Sequence, residues 1–278
     1  MSYKIIGDSC TDLLGEMKTD ERIFLVPLSI QIDNITIVDD ATFDQKDFLK
    51  KMADSPNAPK SSCPAPGEYM KHFGGEEDIY VVTLSASLSG SYNSAELARK
   101  LYLEENTNKN IVIFDSKSAS VGQLLIVLKI KELIEAGKQF DEVVTLTNQF
   151  RDDMQTLFVL ESLETLRKNG RLSNLKAIIA SALNIKPVMG ATSEGSIIKL
   201  DQARGTNKAL KVLAELVKKD VTDASNRILG IAHCNNYERA LFVKEEILKL
   251  VSFKETVITD TAGISSLYAN DGGIIVCY

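Results

Sequence analysis

The sequence has few of the residues from which catalytic and metal centres are usually built. It contains no tryptophan, two histidines and four cysteines in 278 residues. His72 and His233 lack the H-x-x-x-H and HEXXH spacings, and the cysteines have no CxxC spacing, so neither a metal site nor a disulfide framework is indicated. We therefore expect no metal, no cofactor and reduced thiols.

A long hydrophobic run is also missing. The most apolar window, residues 124–130, is too short to cross a membrane and contains Lys129. The N-terminus does not have the pattern of a secretory signal peptide. A net charge of −6 argues against bulk nucleic-acid binding. We expect a cytoplasmic protein with no membrane span and no nucleic-acid partner.

Strand-length apolar runs alternate with helical patterns over the first 150 residues. Such alternation predicts a parallel sheet covered by helices. Thr42, three residues before Gln45, resembles the start of a capping box for the first helix, and four of the six prolines fall in 56–66, which predicts an irregular loop. The predicted strands are Tyr3–Gly7, Ile23–Ile32, Ile79–Leu84 and Ile111–Phe114, and the predicted helices are Asp44–Ala53, Ser91–Glu104 and Ser120–Ala136.

The pattern changes after residue 150. Thr156–Leu160 has the composition of a strand, and Ser162–Asn169 that of a helix ended by Gly170. Ile185–Ala191 and Ser196–Gln202, joined by Thr-Ser-Glu-Gly, predict a hairpin. We expect an α/β protein with two domains, 1–150 with the parallel sheet and 151–278 with a mixed sheet and helices.

Two hydroxyl-rich loops flank the predicted strand at Ile79–Leu84. The first is SSCPAPG from Ser61, and the second, SASLSGSYNS, continues directly into a predicted helix. Helix N-termini present unpaired N–H groups and a partial positive charge, which favour phosphates and carboxylates. The second loop is not the GxSxG nucleophile pattern, and GxxxxGK[ST] does not occur. This combination indicates anion binding without catalysis.

Three polar residues leave alternatives open. Asp8 and Asp115 follow predicted parallel strands, where ligands of such sheets bind, but an aspartate there equally often caps the next loop or helix. If Asp8 and Asp115 instead form a ligand site, they would favour a small-molecule kinase or transferase. His233 ends a buried-looking strand and is either a core residue or the edge of a polar site.

Positive charge is concentrated in one segment. Leu163 to Lys211 carries nine Lys/Arg against three acidic residues, a net +6, so the rest of the chain carries −12. Such a segment is either a set of solvated helix faces or a surface that binds an acidic or phosphate-bearing partner. Arg171 and Arg204 each lie beside a glycine, where a guanidinium can reach a phosphate or carboxylate.

An ordered set of motifs resembles the DegV family over essentially the whole length. No single motif is diagnostic, but their order is specific. The N-terminal loop is similar to DS-x-x-D/S, the first hydroxyl-rich loop to T-S-x-P, and the second to S-x-L-S-G-[TS]-Y. In this chain the motifs are Asp8–Asp12, Ser61–Pro64, Ser87–Tyr92, Asp115–Lys117, Leu163–Ser173, Ile185–Pro187 and Arg204–Gly205.

The resemblance implies a fatty-acid-binding protein, the lipid-carrying subunit of a bacterial fatty acid kinase. It implies one acyl chain buried between the two domains, no catalytic residue, and a separate kinase as partner that phosphorylates the carboxylate. By position, Ser61 and Ser89 would hold the carboxylate. Ser62, Ser91 and Tyr268 are candidates for the surrounding headgroup network, and Arg171 and Arg204 for kinase docking.

Three sites depart from the family pattern. Ser61 replaces a threonine and keeps its hydroxyl. Near the C-terminus, Ala262-Gly263 stands for the family's Gly-Pro, and Tyr268 stands where the family has a histidine of the headgroup network. Tyrosine keeps a hydroxyl donor at that position, so we expect it to replace the histidine as a hydrogen-bonding group.

Overall fold

The computed structural model describes residues 2–172 and 184–278, and its elements are numbered along the chain. The strands are β1 (Tyr3–Asp8), β2 (Ile23–Val26), β3 (Ser29–Ile32), β4 (Ile35–Val38), β5 (Lys60–Ser62), β6 (Asp78–Thr83), β7 (Ile111–Asp115), β8 (Thr156–Val159), β9 (Ile185–Ala191), β10 (Ile197–Arg204), β11 (Ile228–His233), β12 (Glu255–Asp260) and β13 (Ile274–Cys277). The α-helices are α1 (Gln45–Asp54), α2 (Pro66–Met70), α3 (Ser91–Glu105), α4 (Val121–Glu135), α5 (Phe140–Asp153), α6 (Glu164–Lys168), α7 (Thr206–Asp220), α8 (Tyr237–Leu248) and α9 (Gly263–Ala269).

The first half contains the parallel sheet that the strand–helix alternation predicted. Its strand order is β2-β1-β6-β7, and every pair is parallel. Of the two hydroxyl-rich loops, the second therefore begins at the carboxyl end of a strand of this sheet, where parallel sheets bind ligands. β6 leads into the second of these loops, which ends at α3.

The second half contains a mixed sheet, which confirms the predicted fold class. Its order is β10-β9-β8-β13-β11-β12, with β11–β12 as the parallel pair and antiparallel pairing elsewhere. The hairpin of β9 and β10 is also confirmed, and Gly195 in its turn has a φ of +77°, a conformation that glycine adopts without strain. The division into two domains near residue 150 stays a prediction.

Helix α4 lies between the two sheets. It packs against β1 and β6 of the parallel sheet and against β11 and β13 of the mixed sheet. Leu124, Leu125, Ile126 and Val127 are consecutive and all buried, as expected for a helix covered on every side. At Gly230 of β11, an added Cβ would lie 2.6 Å from Val121, so a glycine permits this close approach.

The predicted single strand at Ile23–Ile32 is wrong. The run divides at Pro27 into β2, in the parallel sheet, and β3, which pairs antiparallel with β4 and β5 in a separate small sheet. Proline has no N–H for a strand ladder and fixes its own φ, so it favours the change of direction. β5 also lies inside 56–66, which was predicted to be irregular.

Two helix predictions also need correction. Asp44, not Thr42, caps α1, because its carboxylate accepts the N–H of Asp47 at 2.9 Å. Thr42 donates its hydroxyl to Asp40 instead. Helix α9 is absent from the sequence prediction because its seven residues are mostly buried and too few to show a helical period.

Candidate functional site

An apolar cavity lies between the loops of the first half and the mixed sheet, and its atom-free space is about 830 Å³ including the opening to solvent. Phe158 and Ile275 are directly paired across β8 and β13, so their side chains point to the same face of the sheet. The sequence analysis missed these wall residues. Alternating apolar and polar residues indicate which face of a strand is buried, but they do not show whether that face packs against a core or lines a cavity. Apolar wall residues include Leu28, Leu84, Leu88, Phe158, Ile197 and Ile275.

A cluster of hydroxyls and one guanidinium forms a polar part of this wall. Ser61, Ser89, Arg171 and Tyr268 all line the cavity. The Ser61 Oγ lies 2.8 Å from the Tyr268 hydroxyl, within hydrogen-bonding distance. The Arg171 guanidinium carbon lies 5.7 Å from the centre of the Tyr268 ring. We call these four residues the headgroup cluster.

Strand alternation separates Ser61 from Ser62. β5 pairs with β3 so that Ser61 is opposite Ile30 and Ser62 is opposite Ser29. Because neighbouring strand residues point to opposite faces, Ser61 reaches the cavity while Ser62 is exposed and is not part of its wall.

The second hydroxyl-rich loop places Ser89 at the cavity and turns Ser91 away from it. The Ser89 Oγ accepts the N–H of Ser91, the first residue of α3, at 3.2 Å. The Ser91 hydroxyl is buried, donates to the Asp8 carboxylate at 2.5 Å and lies 2.7 Å from the Tyr69 hydroxyl. The structure thus joins Ser61, Ser89 and Tyr268 at the cavity, but not Ser62 or Ser91.

Asp8 and Asp115 hold loops rather than face the cavity. The Asp8 carboxylate accepts the side-chain amide of Gln123 at 2.9 Å and the N–H of Leu84 at 2.8 Å, and burial raises its pKa. The Asp115 carboxylate accepts the N–H groups of Ala86 and Lys117 at 3.0 Å. Neither lines the cavity, which fits the capping alternative rather than the small-molecule kinase or transferase.

His233 is a structural residue of the second half. Its Nδ1 accepts the N–H of Asn236 at 3.3 Å, and burial lowers its pKa below the ordinary value, which favours the neutral ring. It does not line the cavity. Within 2–172 and 184–278, no group of three or more potential His, Cys, Asp or Glu ligands is placed to hold a metal ion. No helix in those ranges is long and apolar enough to cross a membrane.

The basic segment is divided by the fold. Arg171 lies in the cavity wall, where its guanidinium donates to the Leu88 carbonyl at 3.2 Å. Arg204, the last residue of β10, is exposed and outside the cavity wall. Lys186 is paired with Glu161, so part of the segment's charge is neutralised, and Lys176 lies outside the described residues.

Comparison with known proteins agrees with this architecture along the entire chain. A family model described as "Uncharacterised protein, DegV family" matches residues 2–278. A DegV domain-containing protein of Streptococcus pneumoniae (strain ATCC BAA-255 / R6) is 36% identical over 281 residues, covering 100% of this chain and 99% of that protein.

Two solved structures are similar in both fold and sequence. A DegV family protein of Ruminococcus gnavus, refined with vaccenic acid, has a TM-score of 0.97 and 48% identity, covering 100% of this chain and 99% of that one. The Streptococcus pneumoniae fatty acid kinase (Fak) B3 protein, loaded with linoleic acid, has a TM-score of 0.92 and 34% identity, with the same coverage. The chain therefore belongs to the DegV family.

Proposed function

We propose that this chain binds one long-chain fatty acid, with its tail in the cavity and its carboxylate at the headgroup cluster. The observation that carries the proposal is an apolar cavity with hydroxyl donors and one guanidinium in its wall. Each buried methylene contributes about 0.8 kcal/mol, so a long tail would supply most of the affinity. The two similar structures with vaccenic and linoleic acid support this ligand class.

The headgroup cluster offers what a partly buried carboxylate needs. Taking such a group out of water is costly unless donors replace its hydration. Ser61 and Tyr268 already lie 2.8 Å apart, so one carboxylate oxygen near both could accept from each hydroxyl. Ser89, just before α3, would donate a further hydrogen bond, and Arg171 would add a positive charge.

The chain would act as a carrier for a separate kinase. In this role it presents the bound carboxylate for phosphorylation and keeps the acyl phosphate that results. The similarity to the fatty acid kinase B3 protein supports such a partner. Arg204 is the better candidate for docking, because it is exposed and away from the ligand, whereas Arg171 would contact both the ligand and the partner.

The protein itself would supply binding and not catalysis. Phosphoryl transfer needs a phosphate-binding loop and metal ligands, which the partner kinase would provide. A cytoplasmic location agrees with this role. The four free cysteines support that location, because free thiols are typical of reducing compartments.

Native mass spectrometry of the freshly purified protein tests the proposal. We expect a co-purifying acid of about 14 to 18 carbons, the size whose tail burial gives tight binding. Organic extraction should remove this mass, and added oleic acid should restore a one-to-one complex. A bound nucleotide or metal in place of the lipid would refute the carrier function and favour a small-molecule kinase.

A further inference from the structure

More than half of the residues of helix α9 take part in the cavity wall. Ile264, Ser265, Tyr268 and Ala269 of this helix all line the cavity. A helix of seven residues is about 10 Å long and has little stability of its own. Its position must therefore be set by contacts from other parts of the chain.

Asp39 holds the N-terminal end of α9. One carboxylate oxygen accepts the N–H of Gly263 at 2.7 Å, and the other accepts the N–H of Ile264 at 2.9 Å. Asp39 is only 3% exposed, so water does not share these contacts. A Cβ at Gly263 would lie 2.5 Å from an Asp39 oxygen, so this approach is open to glycine but not to larger residues.

Asp12 extends the same contact by one residue. Its carboxylate accepts the N–H of Ala262 at 2.7 Å and the hydroxyl of Ser120, and it is 2% exposed. The first four N–H groups of a helix have no partner within the helix. Asp12 and Asp39 together bind three consecutive N–H groups at this helix end, from residues more than 200 positions earlier in the chain.

The arrangement keeps two acidic groups in a dry environment. Burial raises the pKa of Asp12 to about 7 and that of Asp39 to about 6. The charge of Asp39 adds to the cost of ionising Asp12, and the charge of Asp8 adds to the cost of ionising Asp39. Buried carboxylates are unfavourable unless hydrogen bonds compensate them, and here the compensating donors are three N–H groups at the start of α9 and the Ser120 hydroxyl.

We propose that Asp12 and Asp39 are positioning residues for the headgroup cluster, which they serve by holding α9 so that the Tyr268 hydroxyl meets Ser61. The inference rests on the proposed fatty-acid function. Tyr268 lies five residues after Gly263 on a short helix, so a tilt at the N-terminal end displaces its hydroxyl. Hydrogen bonds weaken steeply with distance and angle, and small displacements therefore matter.

The test is a double-mutant cycle between Asp39→Asn and Tyr268→Phe, with oleic acid as the ligand. Asparagine keeps the size but turns an N–H donor toward one of the two helix N–H groups. We expect Asp39→Asn to weaken oleate binding about ten-fold in the natural background and less than about two-fold in the Tyr268→Phe background. Equal losses in both backgrounds would overturn the proposal, because a general structural effect is additive.

A second measurement needs no lipid. With tyrosine labelled at Cζ, the Tyr268 carbon signal is identified by its loss in Tyr268→Phe. Asp39→Asn should shift this signal in the lipid-free protein, and an unchanged signal would overturn the positioning role. Asn236→Ala is the matched control, because Asn236 caps α8, none of whose residues lines the cavity, and it should leave the signal unchanged.

Either an unfolded Asp39→Asn variant or a natural protein that does not bind oleate still leaves the positioning role testable. If Asp39→Asn does not fold, Gly263→Ala tests the same contact, since its added Cβ pushes Asp39 away while both carboxylates remain. If oleate fails to bind the natural protein, the proposed fatty-acid function fails. The carbon signal then decides the positioning role separately.

Discussion

Removing the Tyr268 hydroxyl is the most direct test of the headgroup cluster. Tyr268→Phe deletes the oxygen that lies 2.8 Å from the Ser61 Oγ and leaves the aromatic ring. The ring is the part that packs under the Arg171 guanidinium, so this contact is preserved. The substitution therefore isolates the hydrogen bond from the packing.

The expected magnitude follows from the charge of the ligand and from exposure. A hydrogen bond to a charged group contributes about 1.5–3 kcal/mol, which corresponds to about 10- to 150-fold in Kd. Tyr268 and Ser61 are only partly buried, so water can replace part of the lost interaction. We expect a loss near the lower limit, about ten-fold for oleate.

Calorimetric titration of delipidated protein with oleate measures this loss. Tyr237→Phe is the control, because Tyr237 is 56% exposed and lies outside the cavity wall. Tyr268→His should retain affinity through a ring N–H and gain a pH dependence between about 5.5 and 8, where histidine titrates. An affinity of Tyr268→Phe within two-fold of the natural protein would refute our placement of the carboxylate.

Three other predictions concern the remaining groups. Ser61→Ala and Ser89→Ala should each weaken oleate binding about ten-fold, and the double variant should lose less than the product if both hydroxyls hold one carboxylate; natural affinity in both single variants would contradict this. Arg204→Glu should leave the amount of bound lipid unchanged and slow acyl-phosphate formation by a cognate kinase, most strongly at low salt. Arg171→Glu should reduce both the amount of bound lipid and the rate of acyl-phosphate formation. Loss of lipid from the Arg204 variant would indicate a structural role for that residue. Burial raises the pKa of Asp39 from 3.8 to about 6, so the folded protein keeps a proton that the unfolded chain releases, and stability falls as pH rises through this window by on the order of 3 kcal/mol. Asp39→Asn should therefore lose less stability than the natural protein between pH 4.5 and 7, although the other buried carboxylates still contribute a loss in both. Urea midpoints of the two proteins at these pH values measure the difference, and equal losses would show that the reasoning is wrong.

The elements that the sequence predicted well are those with local signals. Strand–helix alternation and the hairpin turn depend on neighbours in the chain, and both sheets follow from them. The ordered motifs also placed Ser61, Ser89 and Tyr268 among the candidates that the cavity brings together. The break at Pro27 was missed because apolar residues continue on both sides of it.

The contacts that position the site carry no local signal. Asp39 occurs in an acidic, polar stretch that resembles an exposed loop, yet it is buried against N–H groups 224 and 225 residues away. Those partners are backbone groups, which leave no trace in the identity of the residues. The second carboxylate, Asp12, appeared only as one position of a motif. Such contacts become visible only when the chain is folded.

The placement of α4 between the sheets determines how the molecule can come apart. Its buried side chains join one core with Ile5 and Tyr80 from the first half and with Ala232 and Cys277 from the second. Separating the halves would expose a continuous apolar surface of this helix to water, at about 25 cal/mol for each Å². The two sheets should therefore melt in a single cooperative transition, and lipid exchange should proceed through local opening of loops rather than through hinged separation of the halves.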